Sequence, residues 1–189
     1  DYMTYLQLLK DSNKTANVSV WAYCLMPNHV HLILVPEACN GIAKLLRKAH
    51  SQYALRVNGA RGWKGHLWQE RFYSTVMDES HALAALRYVE LNPVRAGLCS
   101  KAEDWPWSSV HANLGHSHDG LVDVEAPHAL VPDWRDFLSE ESPAAIQDAV
   151  RKSTRTGRPA GDDGFIDKLE RETGKSIRTR RKSRRSHDD

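Results

Sequence analysis

His29 and His31 are separated by one residue in "CLMPNHVHLILVPE", residues 24–37, and lead into an apolar run. Strand side chains alternate, so both imidazoles would share one face and Val30 the other. Their ring nitrogens can then converge on one point. Imidazole takes divalent transition metals readily, and magnesium or manganese competes there when oxygen donors stand beside it. The plain alternative is one surface histidine and one hydrogen-bonded core histidine. A second pair lies in "DESHALAALRYVELNPV", residues 78–94. Tyr88 and Asn92 are four apart, which places them on one face of a helix. Ala84 and Ala85 leave room along that face, while Arg87 and Glu90 point elsewhere. Taken singly, Tyr88 reads as a core or rim residue, and Asn92 as a cap ahead of Pro93.

The elements that must position these residues follow from the pattern. "YMTYLQLLKDS" reads as a helix. "NVSVWAYCLMP" and "HVHLILV" read as strands, and the short link between them implies an antiparallel hairpin. Residues 41–57 carry Ile42, Leu45, Leu46, Ala49 and Tyr53 on one side of a helix. "NGARGWKG" is a loop, and "HLWQERFYSTVM" is strand-like. Asp78 caps the helix that bears Tyr88, and Pro93 ends it. "DWPWSS" reads as a Pro-broken segment on the surface, and residues 112–145 as a connection with one short helix. This order implies an α+β fold, a ferredoxin-like antiparallel sheet with helices packed on one side.

No apolar run approaches the roughly 20 residues of a membrane span, and the opening shows no basic-then-apolar leader pattern. Cys24, Cys39 and Cys99 are dispersed, which suits a reducing compartment better than a disulfide framework or a zinc site. The formal charge of +2 hides a split. Residues 151–189 hold thirteen Lys/Arg against seven Asp/Glu, so the first 150 hold thirteen against seventeen. Inside that acidic part, residues 41–75 carry Lys44, Arg47, Lys48, Arg56, Arg61, Lys64 and Arg71 against Glu70 alone. Tyr53, Trp63, Trp68, Phe72 and Tyr73 are interleaved with them. Cations among aromatics suit a phosphate backbone with exposed bases. The alternative is an ordinary solvated helix face with a few core aromatics.

"MPNHVHLIL", "GHLWQERF", "LRYVELNPVRAGL" and "DWPWSS", in that order, resemble the REP-associated tyrosine transposases, single-tyrosine HUH nucleases of the IS200-like type. The likeness runs from Tyr2 to Ser109, and "GRPAGDDGFIDKLERETGK" resembles that family's C-terminal segment. The resemblance implies a metal-dependent single-stranded DNA endonuclease and strand-transferase acting on hairpin-forming repeats. Tyr88 would be its nucleophile. His29, His31 and Asn92 would hold Mg2+ or Mn2+. Lys44, Arg47, Lys48, Arg56, Lys64, Trp68 and Arg71 are the candidate DNA contacts. Single-stranded or hairpin DNA would be the partner, with no membrane, for a monomer or homodimer in the bacterial cytoplasm, associated with the nucleoid.

The expected organisation is a catalytic domain over 1–115, a connecting segment with a short helix over 116–150, and a basic segment over 151–189 whose end is disordered. Relatives open with a strand and a loop, whereas this sequence opens in its first helix, so the sheet is expected to lack that strand. The rival reading is a hairpin-binding protein that does not cleave, inactivated by that loss. A third is a hydrolase in which water attacks and Tyr88 is structural.

Overall fold

The structure is a computed structural model and describes residues 1–140 and 143–178. Helix α1 (Tyr2–Asn13) leads into β1 (Val18–Leu25) and β2 (Val30–Pro36). The two strands form the expected antiparallel hairpin, from Val18 opposite Pro36 to Leu25 opposite Val30, with an irregularity between Val20 and Ala22. The Met26 amide donates to the His29 carbonyl at 2.9 Å and closes the turn around Pro27 and Asn28. Helix α2 (Gly41–Arg61) runs a full turn beyond the expected stop and ends at Gly62, whose φ of 64° is a left-handed cap. Next come α3 (Glu79–Glu90), α4 (Asn92–Arg95) and α5 (Val110–Asn113). The chain continues through α6 (Glu125–Leu130), α7 (Trp134–Ser139), α8 (Ala144–Thr156) and α9 (Asp163–Thr173).

The alternation of β1 divides the core in two. Val18, Val20, Tyr23 and Leu25 pack with Tyr5 and Leu9 of α1 and with Leu45, Leu46 and Ala49 of α2. Ala22 and Cys24 pack instead with Leu86 and Val89 of α3. On β2, Val30, Leu32 and Leu34 join the first group and Ile33 the second. The α+β class and antiparallel sheet hold, but helices cover both faces rather than one. The far edge of β1 is closed by other chain. Leu25 donates its amide to the Trp107 carbonyl, and Ser109 donates its own to Tyr23, both at 2.9 Å. The "DWPWSS" segment is therefore wedged against β1 and not laid on the surface, with Ser108 and Ser109 buried.

Three expectations are corrected. Residues 66–77 form turns and loop, with a single bridge from Met77 to Ala160. Trp68 and Phe72 fold back onto the core that α2 borders instead of alternating, and the Trp68 indole donates to the His50 carbonyl at 3.1 Å. Residues 116–150 hold more than one short helix, and Val131, Trp134 and Phe137 are buried against Leu86 and Val89. The basic segment is not set apart at 151, since α8 crosses that point and seats Val150 against Ala84 and Ala85. Residues 179–189, where disorder is expected, lie outside the described residues.

Glu90 ties these parts together. It is fully buried and accepts hydrogen bonds from Ser109 Oγ at 2.7 Å, Asn113 Nδ2 at 2.6 Å and Trp134 Nε1 at 2.6 Å. Burial raises its pKa, against the lowering effect of the three donated bonds. At the other end of α3, Asp78 accepts from the His81 amide at 2.9 Å and from the Asp162 amide at 2.8 Å. It thus caps α3 and holds the entry to α9.

Two stability outcomes are expected. Glu90→Ala leaves three buried donors unmet and opens a cavity, so urea unfolding should show a loss of about 3–5 kcal/mol. Asp78 concerns pH. Burial raises its pKa, but bonds from the His81 and Asp162 amides and the His81 and Ser80 side chains outweigh this and hold it at about 2. A depressed carboxylate stabilises the fold above its unfolded pKa of about 3.9 and loses that contribution as pH falls toward 2. Asp78→Asn keeps an acceptor and does not titrate. The variant should therefore lose less stability than the unmutated protein between about pH 4 and pH 2.

Candidate active site

His31 lies on β2 opposite Cys24, on the face that packs against α3. His29 immediately precedes the strand. The shared face expected from their spacing is observed, and the two Nε2 atoms are 3.0 Å apart. The rings meet at 89° with centroids 4.7 Å apart. The His29 Nδ1 lies 2.6 Å from Asn28 Oδ1. A proton donated there fixes the tautomer and leaves the Nε2 lone pair aimed at His31. Burial depresses the pKa of His29. It depresses His31 further, to about 4, with the neighbouring His29 contributing second. Both rings are therefore neutral near pH 7, the form in which imidazole is a ligand.

Tyr88 comes from α3. Its ring stands perpendicular to that of His31 at 5.9 Å between centroids. It packs against the cluster of Ala84, Ala85 and Val150, the last from α8, against which Ile33 and Ile146 also pack. The space that Ala84 and Ala85 leave along the helix is thus occupied by α8. Asn92 opens α4, one turn past Tyr88 and across a bend at Leu91. Its Nδ2 is buried with no hydrogen-bond partner among the described residues. A half-turn of that amide would put its oxygen in that position, the ligand a hard cation favours.

The histidine pair has a spacing that suits a divalent metal. Metal–imidazole bonds are about 2.0–2.1 Å, so two nitrogens bound at a right angle would lie roughly 3 Å apart. The His pair has that separation before any metal is considered. Among the described residues no group of three or more His, Cys, Asp or Glu side chains could hold a metal. The remaining donors would be Asn92, water and substrate oxygens.

The candidate DNA contacts lie elsewhere. Lys44, Arg47, Lys48 and Arg56 are exposed on α2, across the sheet from α3. The Lys44 ammonium donates to the Thr15 carbonyl. A groove of about 740 Å3 runs between α2 and the 65–72 loop, with Arg47, His50, Trp68, Arg71 and Phe72 in its walls. Trp68 is half-buried, and His50 stacks on it at 4.3 Å. Lys64 is exposed on the loop, beside Trp63, over whose ring Arg61 lies at 4.7 Å. The structure thus joins His29, His31 and Tyr88, and separates them from the basic set. Two neighbours of the site were missed from sequence. Asn28 adjoins His29 in the chain, and Arg95, seven residues from Tyr88 and so two helical turns on, places its guanidinium carbon 4.4 Å from the Tyr88 ring centre.

Residues 2–92, which end on Asn92, match the family described as IS200-like transposases. A Haemophilus influenzae protein named as a REP-associated tyrosine transposase is 28% identical over 104 residues, covering 49% of this chain and 59% of the relative. An Escherichia coli REP-associated tyrosine transposase is 24% identical over 105 residues, covering 55% of this chain and 59% of the relative. The chain therefore spans about three-fifths of the length of these curated relatives. No solved structure matches it. The matched residues contain the His pair, Tyr88 and Asn92, while Arg95, α8 and the Glu90 partners lie beyond them.

His29→Ala and His31→Ala should each weaken Mn2+ binding, read by titration calorimetry. The expected loss is at least the roughly tenfold that removal of an outer-shell partner costs. Circular dichroism should remain unchanged. Undiminished Mn2+ affinity in both variants would remove the metal from this site.

Proposed function

We propose that this IS200-like transposase segment cleaves and rejoins single-stranded DNA through a covalent bond to Tyr88. One observation carries the reading: a tyrosine ring and a converged pair of neutral imidazoles meet on one face of the sheet within one chain. The family match and the names of the relatives support a transposase-type role. Single-stranded or hairpin DNA is the proposed substrate, because strand cleavage at Tyr88 needs a backbone free to enter a site bordered by α3, β2 and α8.

The chemistry follows from the groups present. The Tyr88 oxygen attacks phosphorus, the bond from phosphorus to the 3′ oxygen breaks, and the 5′ phosphate stays on the tyrosine. The phenolic proton leaves to water, and the departing 3′ oxygen takes a proton from water. The phosphotyrosine bond keeps the energy of the diester, so a 3′ hydroxyl can reverse the step and transfer the strand. His29 and His31, with Asn92 as an oxygen donor, would hold Mg2+ or Mn2+, and the ion would supply Lewis-acid chemistry to a bound phosphate. Asn28 keeps His29 in the tautomer that presents Nε2. The cations of α2 and the 61–71 loop supply salt-sensitive attraction for the rest of the DNA. The basic residues beyond 174 add to that attraction without reading sequence.

Tyr88→Phe keeps the ring and its packing, so stability should change by no more than about 1 kcal/mol. With labelled single-stranded hairpin DNA and Mn2+, a denaturing gel should show a protein–DNA adduct for the unmutated protein and none for the variant. Affinity for the hairpin should be preserved. Cleavage without an adduct would mean that water attacks and Tyr88 is structural. Binding with neither cleavage nor adduct would make the chain a hairpin-binding protein.

A further inference from the structure

We infer that Arg95 is a substrate-binding residue that grips the phosphodiester attacked by Tyr88; this rests on the reading of Tyr88 as the nucleophile. The Arg95 guanidinium carbon sits 4.4 Å from the centre of the Tyr88 ring. The side chain is exposed and, among the described residues, has no carboxylate or carbonyl partner. Arg87, on the same stretch of helix, shows what a structural arginine does here. Its Nε donates to the Phe137 carbonyl at 2.6 Å, its NH2 meets Glu140 at 3.0 Å, and it covers the Phe137 ring at 4.2 Å. Arg87 is consumed by the fold. Arg95 is held in place by a ring face, which binds a cation without using its N–H donors. Those donors remain available in a planar fork suited to two phosphoryl oxygens.

The position also follows from helix geometry. Residues seven apart lie almost in line along a helix, and the bend at Leu91 does not break the alignment, since the Arg95 amide donates to the Leu91 carbonyl at 3.0 Å. A phosphate within bonding reach of the Tyr88 hydroxyl therefore arrives beside a guanidinium with free donors. In the proposed step the O–P bond to Tyr88 forms and the P–O3′ bond breaks. Negative charge rises on the non-bridging oxygens meanwhile, and Arg95 neutralises it without gaining or losing a proton.

The test uses the full chain, Mn2+ and a pool of single-stranded hairpin oligonucleotides with randomised flanks. Adducts made by the unmutated protein identify the cleaved phosphate. That phosphate is then replaced by a methylphosphonate, which removes one non-bridging oxygen and its charge. Single-turnover adduct formation is measured on both substrates for the unmutated protein, Arg95→Ala and Arg95→Lys, with thermal unfolding as the check on folding. On the natural phosphate, Arg95→Ala should be slower by about 100-fold, the usual loss for a donor to a developing oxyanion. Arg95→Lys should be intermediate, because it keeps the charge and loses the fork. On the methylphosphonate the Ala penalty should shrink to a few-fold. Equal penalties on the two substrates would show that Arg95 only props the ring and would overturn the inference, as would no penalty on either. If the unmutated protein makes no adduct, the reading of Tyr88 fails and takes the role of Arg95 with it.

Discussion

A buried carboxylate that must find donors determines how the two halves of this chain meet. Glu90 has no exposure to solvent, and its oxygens are met by groups from α5, from the segment that precedes it, and from α7. A charge in that position without those donors would cost several kcal/mol, so α3 has little freedom to rotate about its axis. Glu90 lies between Tyr88 and Asn92, two residues from each. Two residues are about 200° of helix. With Glu90 turned toward Trp134, Tyr88 must face the other way, and there it meets His31 and α8. A structural acid thus sets the direction of the candidate nucleophile.

This dependence explains what sequence could and could not show. The hairpin, the shared face of His29 and His31, and the start of α3 at Asp78 were legible because each rests on neighbours in the chain: strand alternation, a short turn and an N-cap. Tyr88 and Asn92 were legible as a pair because one helical turn separates them. Glu90 could be read as pointing away from that pair, but its three partners lie 19 to 44 residues further on. Nothing local marks residues 125–139 as core. The same non-locality misled the reading of 66–77, whose aromatics resemble a strand until α2 offers them a surface. The one-sided sheet failed for a related reason: Ala22 and Cys24 look like filler in an apolar strand, yet they are the small side chains that let α3 approach the second face.

The two-faced sheet separates attraction from chemistry. From Gly41 to Arg61, α2 carries Lys44, Arg47, Lys48, Arg56 and Arg61 with no acidic residue, a strong field for a polyanion. Tyr88 and the His pair are on the other side, and β2, next to the site, pairs on one edge only among the described residues. In the proposed function, DNA held by α2 would reach Tyr88 by passing that edge. The basic helix would then gather DNA from solution without fixing which phosphate is cut.

Screening sharpens the division. An α-helix is about 10 Å across, and the Debye length at physiological salt is about 8 Å. The exposed cations of α2 stand on the far side of their own helix, with the sheet beyond it, so little of their field reaches Tyr88. The neutral His29 and His31 carry no charge of their own to replace it. In the proposed reaction, charge that rises at phosphorus would therefore be met from the α3 side of the sheet. On that side a metal held by the histidines would act on one oxygen, and the guanidinium over the Tyr88 ring lies where it could meet another. A second cation at this point suits a site whose basic surface faces away from it.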